Sequence, residues 1–101
     1  GIQKILISNL IFAEVIGRNV LYHTFSGKVI KCTEPFSAVC NNLLKYGRFV
    51  KTHRSYIVNM QYVDTIANHQ VTLQTLTSVP IAQGKAREIK QQYLAYQMEG
   101  V

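Results

Sequence analysis

Short apolar segments alternate with turn residues along the first third of the chain. They cover residues 4–8, 10–16, 20–25 and 28–32. Gly17 and Asn19 lie in one of the intervening segments, and Ser26-Gly27 forms another. Apolar runs of this length, bounded by residues that tolerate tight turns, predict β-strands joined by hairpins. The simplest arrangement of these strands is a β-meander.

The period of the pattern then changes. Apolar residues recur at helical spacing at Phe36, Val39, Cys40, Leu43 and Leu44. Such a stripe indicates an amphipathic helix. Because Pro35 suits a first helical turn and Gly47 suits a left-handed cap, the predicted helix covers residues 35–46.

The rest of the chain returns to strands before a closing helix. Strands are predicted at 49–52, 62–67, 71–74 and 79–82. From Lys85 onward, apolar residues recur at helical spacing at Ala86, Ile89, Tyr93 and Tyr96. No repeat or internal linker is visible, so we expect one domain over residues 1–101, mainly β with two short helices.

Composition narrows the classes of function. The 101 residues are 48% hydrophobic and 16% charged, which favours a folded domain over a disordered chain. Eleven Lys and Arg against five Asp and Glu give a net charge of +6, so a polyanion is the expected partner. No apolar run is long enough to span a bilayer and no secretory signal is apparent, which predicts a cytoplasmic protein with no membrane association.

Positive charge is concentrated in the middle of the chain. Residues 35–63 contain no acidic residue. The basic residues of this window are Lys45, Arg48, Lys51, His53 and Arg54, of which His53 is charged only when it is protonated. Polar Thr52, Ser55 and Asn59 are interleaved with them, and this mixture is typical of contacts to phosphates and base edges.

Catalytic and metal sites are not indicated. Cys32 and Cys40 have no zinc-site spacing to each other or to the three histidines. A single Asp, no paired carboxylates and no Gly-rich phosphate loop argue against an enzyme. We therefore expect no cofactor, no metal and no catalysis.

One run of about sixteen residues is a specific sequence motif. Residues 48–63 read Arg-Phe-Val-Lys-Thr-His-Arg-Ser-Tyr-Ile-Val-Asn-Met-Gln-Tyr-Val and are followed by Asp-Thr-Ile66. This run resembles the central signature of LytTR-type DNA-binding domains, approximately F-V-R-x-H-R-S-Y-I-V-N-x-x-Y-I. Weaker agreement extends over nearly the whole chain, from Glu14 to the Val79-Pro80-Ile81 segment before the final helix.

The resemblance implies a fold and a function. The fold would be an elongated, mostly β sandwich of three small antiparallel sheets. The function would be sequence-specific binding of double-stranded DNA by loops that enter successive major grooves, with direct repeats and a dimer on DNA as the arrangement. Such a domain is usually the output half of a bacterial response regulator that controls transcription, so an upstream receiver or sensor domain is expected.

Carried over by position, the resemblance points to three places on the chain. They are the loop at Arg18 and Asn19, the segment from Lys51 to Ser55, and the segment after Ile81. The predicted base contacts are Arg54, His53, Asn19 and Gln83. The predicted phosphate contacts are Lys51, Ser55, Arg18, Lys85 and Arg48. The forked donors of Arg54 suit guanine, whereas His53 could contact DNA or serve as a structural hydrogen-bonding residue.

The chain departs from the family pattern at two points. Ala82-Gln83-Gly84-Lys85 replaces the common Ser-Arg-Arg, and since Gln83 can pair with adenine this predicts a changed base preference. Thr75-Leu-Thr-Ser78 replaces the usual Asn-Gly hairpin, which predicts a longer or bulged turn. The alternative function is a cationic module that binds an acidic protein or an anionic membrane surface.

Overall fold

The computed structural model describes residues 4–99, and the predicted domain 1–101 extends beyond them at both ends. The elements are β1 (Leu10–Ile16), β2 (Asn19–Thr24), β3 (Val29–Thr33), α1 (Phe36–Leu43), β4 (Phe49–His53), β5 (Tyr56–Asn59), β6 (Val63–Ile66), β7 (Gln70–Leu73), β8 (Ser78–Pro80) and α2 (Ala86–Glu99). The prediction of a mainly β fold with two helices is confirmed.

The first sheet has five antiparallel strands in the order β3-β2-β1-β5-β4. The predicted meander of β1, β2 and β3 forms one half of it. Gly17, with a φ of 62°, occupies the first central position of the two-residue turn between β1 and β2. Because β1 pairs with both β2 and β5, residues distant in sequence join one continuous sheet.

The second sheet is the antiparallel meander β6-β7-β8. The described residues therefore form two sheets, and the expectation of three is wrong. Pairing of β1 with β5 is the reason, since it merges the N-terminal meander and the β4–β5 hairpin. The molecule measures 39 × 30 × 25 Å.

Two hydrophobic cores lie on opposite faces of the five-stranded sheet. On one face α1 packs Val39, Cys40 and Leu43 against a core that includes Ala13 and Ile57. The other face packs against the second sheet and α2. The residues predicted to form the apolar stripe of α2 are confirmed in this role: Ile89 is buried, and Ala86, Tyr93 and Tyr96 pack beside it.

Helix α1 ends earlier than predicted. The N–H of Leu44 donates to the carbonyl of Cys40, and successive turns then lead to β4. Gly47 does not have a positive φ, so the predicted left-handed cap is wrong. Directly after Gly47, the carbonyl of Arg48 accepts from the N–H of Met60 at 2.6 Å. The chain is therefore already pairing with the end of β5 at the position where the helical cap was predicted.

Two strand predictions are also corrected. Residues 4–8 form no strand, and a single 3-10 turn covers Ile7–Asn9. The pattern also missed β5, a central strand that is four residues long and carries a nearly continuous apolar run. Its last residue, Asn59, is fully buried, donates through Nδ2 to the Leu10 carbonyl at 2.9 Å and accepts from the Gln61 N–H at 3.0 Å.

Candidate nucleic-acid interface

Three segments meet at one end of the five-stranded sheet. The β1–β2 turn contains Arg18, and the β4–β5 turn consists of Arg54 and Ser55. β1 and β5 are antiparallel partners, and the N–H of Val15 donates to the Ser55 carbonyl at 3.1 Å. The two turns therefore lie next to each other at the same end of the sheet. The third segment, residues 82–85, follows β8.

The third segment is tied directly to β4. The N–H of Ala82 donates to the Thr52 carbonyl at 2.8 Å, and the N–H of Lys85 donates back to the Ala82 carbonyl at 3.0 Å. Gly84 completes this tight turn with a φ of 79°, a conformation that favours glycine. The structure therefore places exposed Gln83 and Lys85 beside the β4–β5 turn.

A bulge in β4 controls which way the cationic side chains point. Lys51 stands opposite Ile57, but His53 stands opposite Tyr56, so Thr52 is the additional residue. Because cross-strand partners share a face, Lys51 lies on the α1 face and His53 lies on the other. In agreement, the Lys51 Nζ lies 5.7 Å from the centre of the Phe36 ring at the start of α1.

His53 is half-buried and is held by its neighbours. Its Nδ1 accepts a hydrogen bond from the Ser55 N–H at 3.1 Å. In the neutral ring this places the proton on Nε2, which makes that nitrogen a donor. A donor at this edge can pair with a phosphate oxygen or with a guanine acceptor, so the structural and the DNA-contact interpretations of His53 are compatible.

A groove of about 390 Å³ runs between β4, the 82–85 segment and α2. Its lining includes the predicted contacts Lys51, His53, Arg54 and Lys85. It also includes Glu88 and Gln92, which the sequence interpretation did not single out. Both follow Lys85 at helical spacing, so the sequence pattern could have predicted that they lie on the same face of α2 as Lys85.

Asn19 has a partner within the fold. Its Oδ1 accepts from the Thr33 hydroxyl at 3.0 Å across β2 and β3. The adjacent Arg18 is exposed at the tip of the β1–β2 turn. Of these two predicted contacts, the geometry leaves Arg18 the more available for DNA.

Arg48 is not near the other predicted contacts. It precedes β4, at the end of that strand opposite the Arg54 turn, and its Nη1 donates to the Gln61 Oε1 at 3.4 Å. Lys45 lies in the turns between α1 and β4 and is exposed. The cationic window seen in the sequence is therefore divided between two ends of one strand.

Charge at the interface is predominantly positive. Within residues 4–99, the Lys85 Nζ and the Glu88 Oε2 form an exposed ion pair at 3.4 Å, while Arg18, Lys51 and Arg54 enter no ion pair. Over the same residues, no cluster of three or more ligating side chains is placed to hold a metal ion. No helix in the described part of the chain is long and apolar enough to cross a membrane.

Comparison with protein-family models decides the family. The model of the LytTr DNA-binding domain matches residues 1–94. The chain belongs to the LytTR DNA-binding domain family. Comparison with curated proteins gives no match.

A solved structure shares the fold of this LytTR domain. It is described as the LytTr DNA-binding domain of a methyl-accepting/DNA response regulator from Bacillus cereus. The two superpose with a TM-score of 0.75 at 17% sequence identity, over 87% of this chain and 84% of that chain. The mainly β architecture with antiparallel sheets and two helices is therefore that of the LytTR fold.

The β7–β8 turn of this LytTR domain is unusual. Leu76 adopts a φ of 70° and is 85% exposed. The turn spans four residues between Leu73 and Ser78, closed by the Thr77 carbonyl accepting from the Leu73 N–H at 2.9 Å. The predicted longer turn is confirmed, with a leucine in the left-handed conformation that Gly or Asn adopts readily.

Proposed function

We propose that this domain binds double-stranded DNA in a sequence-specific manner and regulates transcription as the output domain of a cytoplasmic response regulator. The observation that supports this most directly is the meeting of three exposed polar segments at one end of the sheet. They are the turn at Arg18, the turn at Arg54-Ser55 and the Gln83–Lys85 segment. Separate loops on a rigid scaffold can each reach a groove without a recognition helix.

The proposed mechanism divides the contacts by chemistry. Arg18, Lys51, Ser55 and Lys85 bind phosphate oxygens and provide affinity that depends on salt. Arg54 reads guanine through paired donors, Gln83 reads adenine, and His53 donates from Nε2. Asn19 keeps its amide nitrogen available for a base acceptor, since its oxygen is engaged by Thr33.

The dimensions of the molecule support contact with two successive major grooves. Its longest extent is 39 Å. One turn of B-DNA rises about 34–36 Å, so the domain is as long as the distance between adjacent major grooves, and entry of its loops into successive grooves is proposed from the family resemblance. We propose direct repeats as the operator, with a dimer assembled on DNA and a receiver or sensor domain upstream of this one.

The packing of α2 argues against the membrane alternative. Ala86, Ile89, Tyr93 and Tyr96 face the core. An amphipathic helix that binds lipid presents its apolar face to the bilayer, and here that face is occupied. The cationic surface is therefore better explained by nucleic acid than by a lipid bilayer.

Selection from a random pool of duplex DNA tests the proposal. The domain is equilibrated with the pool at low and at higher salt, and the DNA retained at higher salt is sequenced. We expect enrichment of a motif repeated at helical-turn spacing. Binding that disappears with salt and enriches nothing would contradict sequence-specific recognition. Flotation with anionic vesicles, measured in parallel, is expected to show no binding.

A further inference from the structure

Glu14 is a carboxylate on the face of the sheet that carries His53. It stands directly opposite Tyr56 in the β1–β5 pairing. Its Oε2 lies 2.6 Å from the Nε2 of His23 on β2. The side chains of Glu14 and His23 are only 16% and 26% exposed, so the pair is held within the surface of the sheet. A negative charge next to a DNA-binding edge is unfavourable for affinity, which calls for a role that offsets it.

Aromatic contacts connect this pair to His53. Phe12 stacks on His23 with ring centres 4.0 Å apart and planes 8° from parallel. The Tyr56 ring lies 6.4 Å from Phe12 and meets the His53 ring edge-on at 5.7 Å and 74°. Tyr56 is thus enclosed by Phe12 along its ring, by His53 at one edge and by the Glu14 position across the ladder.

The chemistry of Tyr56 agrees with this placement. Burial raises the pKa of the Tyr56 hydroxyl, and the charge and hydrogen bonding of Glu14 raise it further. Glu14, the cross-strand partner of Tyr56, is placed beside this hydroxyl. A tyrosine whose ring packs against both Phe12 and His53 has little rotamer freedom to lose when DNA binds.

The backbone alone does not fix the ring of His53. The β4 bulge immediately precedes it, and the hydrogen bond from Ser55 to Nδ1 restrains one ring atom. A second restraint is needed to define the plane of the ring, and hence the direction in which Nε2 points. The edge-on contact with Tyr56 supplies that restraint.

We propose that Glu14 and Tyr56 are positioning residues that orient His53 toward DNA. The carboxylate fixes the tyrosine hydroxyl, the tyrosine ring fixes the imidazole plane, and the imidazole presents Nε2–H to the duplex. This inference rests on the proposed function, because it assumes that His53 contacts DNA. It adds that residues inside the sheet, with no DNA contact of their own, contribute to specific affinity.

A double-mutant cycle tests the proposal. Tyr56→Phe removes the hydroxyl and keeps the ring, and we expect it to weaken binding to the selected DNA site by about three- to tenfold. In a His53→Ala background the same change is expected to have no further effect, since there is no imidazole left to orient. A purely structural role for Tyr56 would give the same loss in both backgrounds and would overturn the proposal.

Tyr22→Phe is the matched control. The Tyr22 hydroxyl donates to Glu34 Oε2 at 2.8 Å, and Tyr22 belongs to the core on the α1 face. It makes the same chemical change in the same sheet, on the face opposite His53. We expect no coupling of Tyr22→Phe to His53→Ala.

Glu14→Gln is the second variant, for use if Tyr56→Phe does not fold. It keeps the shape of the side chain and removes its charge, and we expect its effect on affinity also to vanish without His53. If the wild-type domain does not discriminate between DNA sequences, the proposed function fails and this inference with it. If the wild type discriminates but the losses are additive, this inference alone is overturned.

Discussion

The backbone N–H of Ala82 donates a 2.8 Å hydrogen bond to the carbonyl of Thr52. This bond joins the segment after the second sheet to the edge strand of the first. Thr52 is also the bulged residue of β4, and its buried hydroxyl has no hydrogen-bond partner among residues 4–99. One residue therefore sets the direction of His53 through its bulge and the position of Gln83 through its carbonyl.

Arg54→Ala is expected to reduce affinity for the selected DNA site by roughly 1–3 kcal/mol and to relax preference at one base pair. Arg54 is exposed at the turn and has two parallel donors for guanine. Electrophoretic mobility shifts on the selected site and on its single-base variants measure both effects. Arg48→Ala, the same charge change at the other end of β4, is expected to leave base preference unaltered. Equal losses on selected and random DNA would exclude a base contact by Arg54.

Lys85→Ala is expected to weaken binding to all duplexes alike and to reduce the slope of log K against log salt by about one unit. Its ammonium group lies at the groove beside Arg54, and its exposed ion pair with Glu88 contributes little to folding. Fluorescence anisotropy over a salt series measures the slope. The control is Lys28→Ala, because Lys28 is exposed in the β2–β3 turn, away from the three segments. An unchanged slope for Lys85→Ala would remove it from the phosphate contacts.

Asn59→Ala is expected to lower the free energy of unfolding by about 3 kcal/mol. The substitution leaves the Leu10 carbonyl and the Gln61 N–H without their partner, at a residue that is 0% exposed. Urea unfolding monitored by circular dichroism measures the change. Asn42→Ala, on the exposed side of α1, should remain within about 0.5 kcal/mol of the wild type. A comparable effect of the two substitutions would show that the buried amide is dispensable.

Leu76→Asn is expected to raise the free energy of unfolding by roughly 1 kcal/mol. Leu76 has a φ of 70° and is 85% exposed, so Asn relieves backbone strain without removing buried apolar area. Thermal and urea unfolding measure the gain. Leu76→Ala also has a β-carbon but lacks the short polar side chain that hydrogen-bonds locally in the left-handed conformation, and it serves as the control with no expected gain. Equal stability of the Asn and Ala variants would show that the left-handed conformation is not costly here.

Alkaline pH is expected to destabilise the domain through Tyr22. Burial, together with hydrogen bonding and charge from Glu34, raises the pKa of Tyr22 above its ordinary value of 10.0. Above that pH the unfolded chain loses the proton while the folded chain keeps it, so this contribution to stability is complete below pH 10 and declines above it. Urea midpoints measured across this range should fall less steeply for Tyr22→Phe. The same decline in both proteins would assign it to other groups.

Much of the fold could be predicted from periodicity because each face of the sheet has its own core. The stripe at Ile89 and Tyr93 predicted the closing helix, and the meander of β1, β2 and β3 followed from its turn residues. Strand β5 could not be found this way, since a central strand buried on both faces shows no alternation. The two-sheet arrangement depends on pairing between β1 and β5, which local pattern does not encode.

The sequence predicted which residue types form the candidate site, but it did not predict which face of the sheet each side chain points to. Alternation would place Lys51 and His53 on one face, and the bulge places them on opposite faces. The composition of the cationic window does not show that Arg48 and Arg54 lie far apart. The structure places them at opposite ends of β4. Glu14 belongs to the weaker agreement with the family, but the role proposed for it depends on its pairing with Tyr56, which the sequence pattern does not show.

The central place of β1 also has a consequence for the order of folding. Each hairpin forms between neighbouring segments, whereas β1 meets β5 only after the intervening residues 17–55 are closed into a loop. Such non-local pairing slows folding, so we expect the β1–β5 ladder to be among the last contacts made. The turns at Arg18 and Arg54 become neighbours in that same step. A nascent chain would therefore gain the proposed DNA-binding surface only with the completed sheet.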